Sequence, residues 1–357
     1  MQEMLVEEMN RAFSALTEEA GTVPGALSEV VVAGNTVMEH IFLGISPESI
    51  GHSPYSPQFR THPPVAASEL GLIIAPDGAV KLIPNVAGYV GGDIVAGIAA
   101  HAVDKEKPLR FFVDIGTNNE LVIGSEERMY CCATAAGPAF EGARISQGMR
   151  ACNGAVEKVA MTEEGVSYEV IGGSVPKGLC GSGLIDVVAM LLRECVIDSR
   201  GRMLTHEECT DERIKDRLSS DDNRINRFLI TDSNDPVYLT QKDVREVQLA
   251  VGAVKVGTEV MMEQMGTTVD GIDEILLAGA FGSNIDIASA ITVGLLPKVE
   301  REKVRFIFNS SGLGACMALA SADFYRATEQ TMSRMEYIEL SSLKDFQKRF
   351  IRSMLFV

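Results

Sequence analysis

The chain has 357 residues, 46 % of them hydrophobic and 23 % charged, with 33 glycines, which is enough ordinary folded composition for two or three packed domains. A net charge of −17 repels phosphate backbones and anionic lipids, so nucleic acid and membrane surfaces are excluded as expected partners. The most apolar stretch, 81–100, is broken by Pro84, four glycines and Asp93, and the N-terminus is acidic where a signal peptide is basic, so a cytoplasmic location is expected.

Leu5, Met9, Phe13 and Leu16 recur at helical spacing and predict an amphipathic first helix, ended by Gly21 to Gly25. Glu29-Val-Val-Val-Ala33 is short and β-branched, a buried strand. Gly34-Asn35-Thr36 then turns into a helix through about Leu43. A proline-rich loop over 46–67 follows, then a strand near Val80 to Ile83 and a glycine-rich helix start around Gly91. Leu109 to Val113 opens the second part as a strand, with 120–124 and 128–132 as the next two strands of a hairpin sheet. A helix is expected from Gly181 to Cys195, and 199–236 reads as an inserted subdomain. Thr240 caps a long helix to about Gln264, with Asp243 in its first turn. Strands at 274–277 and 304–308 and a helix from Gly314 to Thr328 complete an α/β alternation.

Glu29-Val-Val-Val-Ala-Gly34 and Glu274-Ile-Leu-Leu-Ala-Gly279 are nearly the same segment twice, each after a long helix and before another. The repetition predicts a duplicated lobe, with 1–105 as a first lobe plus connecting helix and 106–357 as the second. The second lobe begins with a hairpin sheet for which the first has no counterpart. The first lobe is therefore expected to be incomplete at its N-terminal side, and the chain to be the C-terminal part of a longer protein.

Asp114-Ile115-Gly116-Thr117-Asn118-Asn119 places an acidic residue at a strand end before a tight turn. Such a turn can aim backbone N–H groups and the Thr117 hydroxyl at a phosphate, with Asp114 holding a hydrated Mg²⁺; the plain alternative is a β-turn. Gly279-Ala280-Phe281-Gly282-Ser283 ends a second strand with small residues, where a base or ribose can approach the backbone closely. In this order the motifs resemble the actin-like and sugar-kinase superfamily of two-lobed ATPases with ribonuclease-H-like lobes. That resemblance implies ATP and Mg²⁺ as cofactors. It also places the Asn85–Asp93 segment at the cleft floor, where Asp93 positions water or Mg²⁺, unless Asp93 only caps a helix.

Longer motifs narrow the resemblance: Val32 to His40, Asp114 to Glu120, Cys132 to Arg150, Gly178 to Asp186 and Thr240 to Glu246 are similar to the reductive activators of corrinoid proteins. The family implies ATP-dependent return of a corrinoid protein from Co(II) to Co(I), with that protein as docking partner. Its electrons come through a ferredoxin-like iron–sulfur domain. The seven cysteines here include no C-x-x-C pair and read as reduced thiols, so no cluster is expected on this chain and the donor must be supplied elsewhere. A homodimer is left open, and so is the chain's ATPase competence by itself. Within Gly137-Pro-Ala-Phe-Glu141-Gly, Glu141 works at the γ-phosphate, or the loop faces the partner, or it is a rigid cleft wall. Cys180 reads as a small filler and His40 as a satisfied packing residue. The competing readings are a small-molecule kinase or ATP hydrolase of the same superfamily, and a non-catalytic scaffold that binds a corrinoid protein.

Overall fold

The computed structural model describes residues 1–279 and 285–356. In chain order the first elements are α1 (Gln2–Glu19), β1 (Glu29–Val32), α2 (Thr36–Phe42), β2 (Val65–Ala66), β3 (Ala79–Leu82) and α3 (Gly92–Ala100). Then follow β4 (Arg110–Ile115), β5 (Asn119–Gly124), β6 (Met129–Thr134), β7 (Ala155–Thr162), β8 (Gly165–Val170), β9 (Gly178–Leu179) and α4 (Gly181–Arg193). The rest comprises β10 (Leu218–Ser220), β11 (Asn226–Leu229), β12 (Tyr238–Thr240), α5 (Gln241–Met265), β13 (Glu274–Ala278), α6 (Ile287–Val293), β14 (Val304–Phe308), α7 (Ser310–Ala320), α8 (Ala322–Ser333), β15 (Met335–Tyr337) and α9 (Phe346–Ser353). The fold is α/β.

Two compact units divide the chain. One comprises 1–110, 122–132 and 309–338; the other comprises 111–121, 133–308 and 339–357. In the first unit β1 and β3 pair in parallel and β2 pairs antiparallel with β3. Val6, Phe42, Ala67, Leu72, Val80 and Leu82 form its core beside that sheet, with Met9 and Phe13 packed against it. The face of α1 that is used is therefore 6-9-13-17. Leu5 and Leu16, placed on the apolar stripe by spacing, are 38 % and 57 % exposed. One residue of rotation is about 100° on a helix, and Val6 with Thr17 fits the sheet better than the larger leucines do.

Helix α3 packs on α7 with nothing to spare: a Cβ on Gly314 would stand 2.3 Å from the Ala96 carbonyl oxygen. Gly314 is thus inside a helix rather than at its start, which Asn309 caps by accepting from the Gly312 N–H. The helix expected over 314–328 is two helices. Ser321, extended at φ −144°, ends α7, and its side chain caps α8 by accepting from the Phe324 N–H.

In the second unit β14, β13 and β4 are successive neighbours in one sheet, with β13 and β14 parallel. Helix α4 is buried along nearly its whole length, and Gly183 lets it approach β7, since a Cβ there would lie 2.2 Å from the Val156 carbonyl oxygen. Strands β10, β11 and β12 make a small antiparallel sheet within the charged region that leads into α5. That helix opens with a capping box between Thr240 and Asp243 and closes on Gly266 in the left-handed conformation.

The segment repeated in the sequence has repeated surroundings. Before β1 come a long helix and a 3₁₀ turn at Pro24–Ala26; before β13 come a long helix and a 3₁₀ turn at Val269–Gly271. Each strand then pairs in parallel with a later strand: β13 with β14, the strand after the next helix, and β1 with β3, past the short β2 that intervenes.

Candidate functional site

Strand β4 carries Asp114 and Ile115 at its C-terminal end, and the chain turns at once into β5. The turn is held from below. Asn119 is fully buried, its Oδ1 accepts the Gly116 N–H at 3.2 Å, and its own carbonyl accepts the Thr134 hydroxyl at 3.3 Å. The Asn119 amide nitrogen has no hydrogen-bond partner among the described residues, a donor left over directly beneath the turn. Above it Thr117 and Asn118 are exposed.

Two further segments reach this turn. Thr117 Oγ1 donates to Glu141 Oε1 at 2.5 Å. Gly279, at φ +87°, passes so close that a Cβ would stand 2.7 Å from Asp114 Oδ1 and 2.8 Å from the Ile115 carbonyl oxygen. Only glycine accommodates both the positive φ and the contact. Asp114, Gly116, Thr117, Asn119, Glu141 and Gly279 are thus brought together, while Asn118 lies at the exposed tip. Ala280, Phe281, Gly282 and Ser283 lie outside the described residues. Chemically, the place offers backbone and hydroxyl donors beside two carboxylates. Such a mixture suits a phosphate only if a cation accompanies it, as Mg²⁺ accompanies ATP.

The loop that carries Glu141 is pinned at its far end. Buried Asp243 accepts from the Ser146 N–H (2.7 Å) and hydroxyl (3.0 Å) and from the Thr240 N–H (2.8 Å) and hydroxyl (2.7 Å). Gln147 bridges to Tyr238 N–H and to the Pro236 carbonyl. Gly148 allows the loop to cross itself, since a Cβ there would meet the Gly142 carbonyl oxygen at 2.0 Å. Two of the sequence motifs, 132–150 and 240–246, are therefore one structural object: a self-crossing loop welded to the first turn of α5.

Asp93 belongs to the first unit. The cap position of α3 is Gly91, not Asp93, which sits in the first turn with its carboxylate on the Ile94 N–H at 2.8 Å. Burial pushes its carboxyl up to about 6. Beneath it lies a residue that the sequence reading passed over. Glu39, on α2 and wholly buried, accepts from Asn85 Nδ2 at 2.7 Å and from the Gly34 N–H at 3.3 Å. Asn85 Oδ1 in turn accepts the Gly92 N–H at 3.0 Å. Burial raises the Glu39 carboxyl to about 8 against the lowering effect of these bonds, and the Asp93 charge adds to the rise. A lone Glu between Met38 and His40 on an apolar helix is the signal that could have found it. His40 beside it is satisfied: Nδ1 lies 2.7 Å from the Thr36 carbonyl oxygen, Nε2 accepts the Gln58 N–H at 3.0 Å, and the ring stacks on Phe59.

Among the described residues no disulfide joins the cysteines; Cys131, Cys132, Cys180 and Cys209 are buried and Cys152, Cys195 and Cys316 exposed. No helix among them is long and apolar enough to cross a membrane.

A family model described as the C-terminal domain of RACo, the ASKHA domain, matches residues 108–357, and one for the RACo middle region matches 1–106. The chain belongs to the family of reductive activators of corrinoid proteins. Within it, the corrinoid activation enzyme RamQ of Eubacterium limosum is 33 % identical over 359 residues, covering 99 % of this chain and 60 % of that protein. The Co(II) methylated amine-specific corrinoid protein reductase of Methanosarcina barkeri is 22 % identical over 245 residues, covering 62 % of this chain and 41 % of the reductase. A solved reductive activator for corrinoid, iron–sulfur protein superposes with a TM-score of 0.85 at 35 % identity, over 99 % of this chain and 56 % of its own. The chain thus spans somewhat over half the length of these first relatives of the activator family.

Proposed function

We propose that this chain is the ATP-binding and corrinoid-protein-docking part of a reductive activator that returns Co(II) in a corrinoid protein to Co(I). A ferredoxin-like iron–sulfur domain or another donor delivers the electron. The observation that carries the nucleotide part is the meeting of Gly279 with Asp114, a bare backbone laid against a strand-end carboxylate. ATP, when bound, supplies the free energy that the uphill reduction requires.

The chain's own residues then have separable tasks. The Gly116–Thr117 turn orients donors toward phosphate, and Asp114 neutralises and orients the hydrated Mg²⁺. Glu141 holds the Thr117 hydroxyl in place, as it does at 2.5 Å. Asp93, with a carboxyl near 6, is ionised at neutral pH yet basic enough to orient a water and take its proton. The loop over 132–150, rigid at Ser146 and exposed at Glu141, is the candidate surface for the corrinoid protein.

The test is optical. A Co(II) corrinoid protein is mixed with this chain and a low-potential reductant, with and without Mg-ATP, and the cobalt spectrum is followed. Co(I) that forms faster only when the chain and Mg-ATP are both present supports the reading. A rate indifferent to ATP contradicts it.

A further inference from the structure

The end of β14 breaks two ordinary rules at one residue. Phe308 is 61 % exposed, and its backbone lies at φ +50°. A bulky aromatic is costly in water and costly in the left-handed region, so the fold spends stability twice on the same side chain. The register explains how it is aimed. Leu277 pairs with Phe306 but Ala278 pairs with Phe308, so Ile307 is the extra residue of a bulge. Bulges re-aim the side chain that follows them, and they collect beside binding sites. Here Ile307 turns inward and is buried while Phe308 turns out.

The position is as informative as the strain. The Phe308 carbonyl accepts the Gly279 N–H at 3.2 Å, and Gly279 touches Asp114. Asp114, Gly279 and Phe308 therefore stand at the C-terminal ends of three neighbouring strands, β4, β13 and β14. Two strand spacings of about 4.8 Å set the carboxylate and the aromatic roughly 10 Å apart. That is the reach of a nucleotide from its phosphates across the ribose to its base.

We infer that Phe308 is the platform on which the base of the nucleotide stacks, Asp114 marking the phosphate end and Phe308 the base end of one ligand. The inference rests on the nucleotide reading given above. It explains why a hydrophobic ring is kept exposed and strained: stacking covers the ring and uses a π-face that any purine offers.

Calorimetry with two probes separates the outcomes. Mg-ATP and Mg-tripolyphosphate are titrated into the chain and its Phe308→Ala, Phe308→Tyr and Phe308→Gly variants. Phe308→Ala weakens Mg-ATP roughly 10-fold and leaves tripolyphosphate unchanged, and Phe308→Tyr restores ATP binding. Phe308→Gly relieves the positive φ, so it melts no lower than the parent chain while losing the same affinity for ATP. Equal ATP affinity in Phe308→Ala overturns the inference, and so does a parallel loss of tripolyphosphate. If the parent chain binds neither probe, the nucleotide reading fails and this assignment falls with it. If it binds both, only the assignment of Phe308 is at stake.

Discussion

Gly279 and Asp114 are fitted to one another so closely that a single added carbon would stand 2.7 Å from the Asp114 carboxylate oxygen. Glycine is required there twice over, by φ +87° and by the contact. Gly279→Ala is expected to cost about 1–3 kcal/mol in strain and to displace Asp114. A melting curve reads the first effect and Mg-ATP calorimetry the second. An alanine variant with the parent's melting temperature and ATP affinity would show that the contact has no part in binding.

Asp243 gathers four donors from Ser146 and Thr240 in a fully buried place. Asp243→Ala strands those donors and removes one half of the capping box, so about 2–4 kcal/mol of stability is expected to go. The local effect is sharper than the global one. Hydrogen exchange at the Ser146 amide accelerates in the variant, since its acceptor is gone. Unchanged protection at Ser146 would contradict the welded-loop description.

The buried carboxyl of Glu39 gives the protein a pH signature. Its folded value, about 8, lies above the ordinary 4.5, so between these limits the folded chain holds a proton that the unfolded chain has released. Stability from this group is full below pH 4.5 and is lost as pH rises toward 8. Asp93 and Asp186, both raised to about 6, act in the same direction but finish near that pH. Buried His40, lowered from 6.5, acts on the acid side. Between pH 6.5 and 8 the downward slope is therefore due to Glu39 within this set, and Glu39→Gln flattens it. Melting temperatures of both proteins across that interval decide the matter, and an equally steep slope in the variant would count against it.

What was legible in the sequence is what local chemistry enforces. The strand leading into Asp114, expected over 109–113 and found over Arg110–Ile115, the cap at Thr240 and the paired segments at Glu29 and Glu274 follow from strand content, turn residues and repetition. What was not legible depends on partners distant in the chain. The α1 face rotated because the sheet under it takes Val6 and Thr17, not Leu5 and Leu16. The helix expected over 314–328 is divided at Ser321 because an N-capping hydroxyl outweighs continued helical spacing. Glu39 became central only when Asn85 and Gly34 closed over it, 46 and 5 residues away. Phe308 reads as one more strand residue until the bulge at Ile307 turns it outward.

The proposed nucleotide site lies where Asp114, the Thr117 turn and Gly279 meet. Mg-ATP calorimetry on the parent chain beside Asp114→Asn tests it most directly, because the amide keeps the side chain's shape and removes only the charge that Mg²⁺ requires. Magnesium-dependent binding is expected in the parent chain, weakened at least 10-fold in Asp114→Asn, with the melting temperature little changed. Equal Mg-ATP affinity in the two proteins would contradict it.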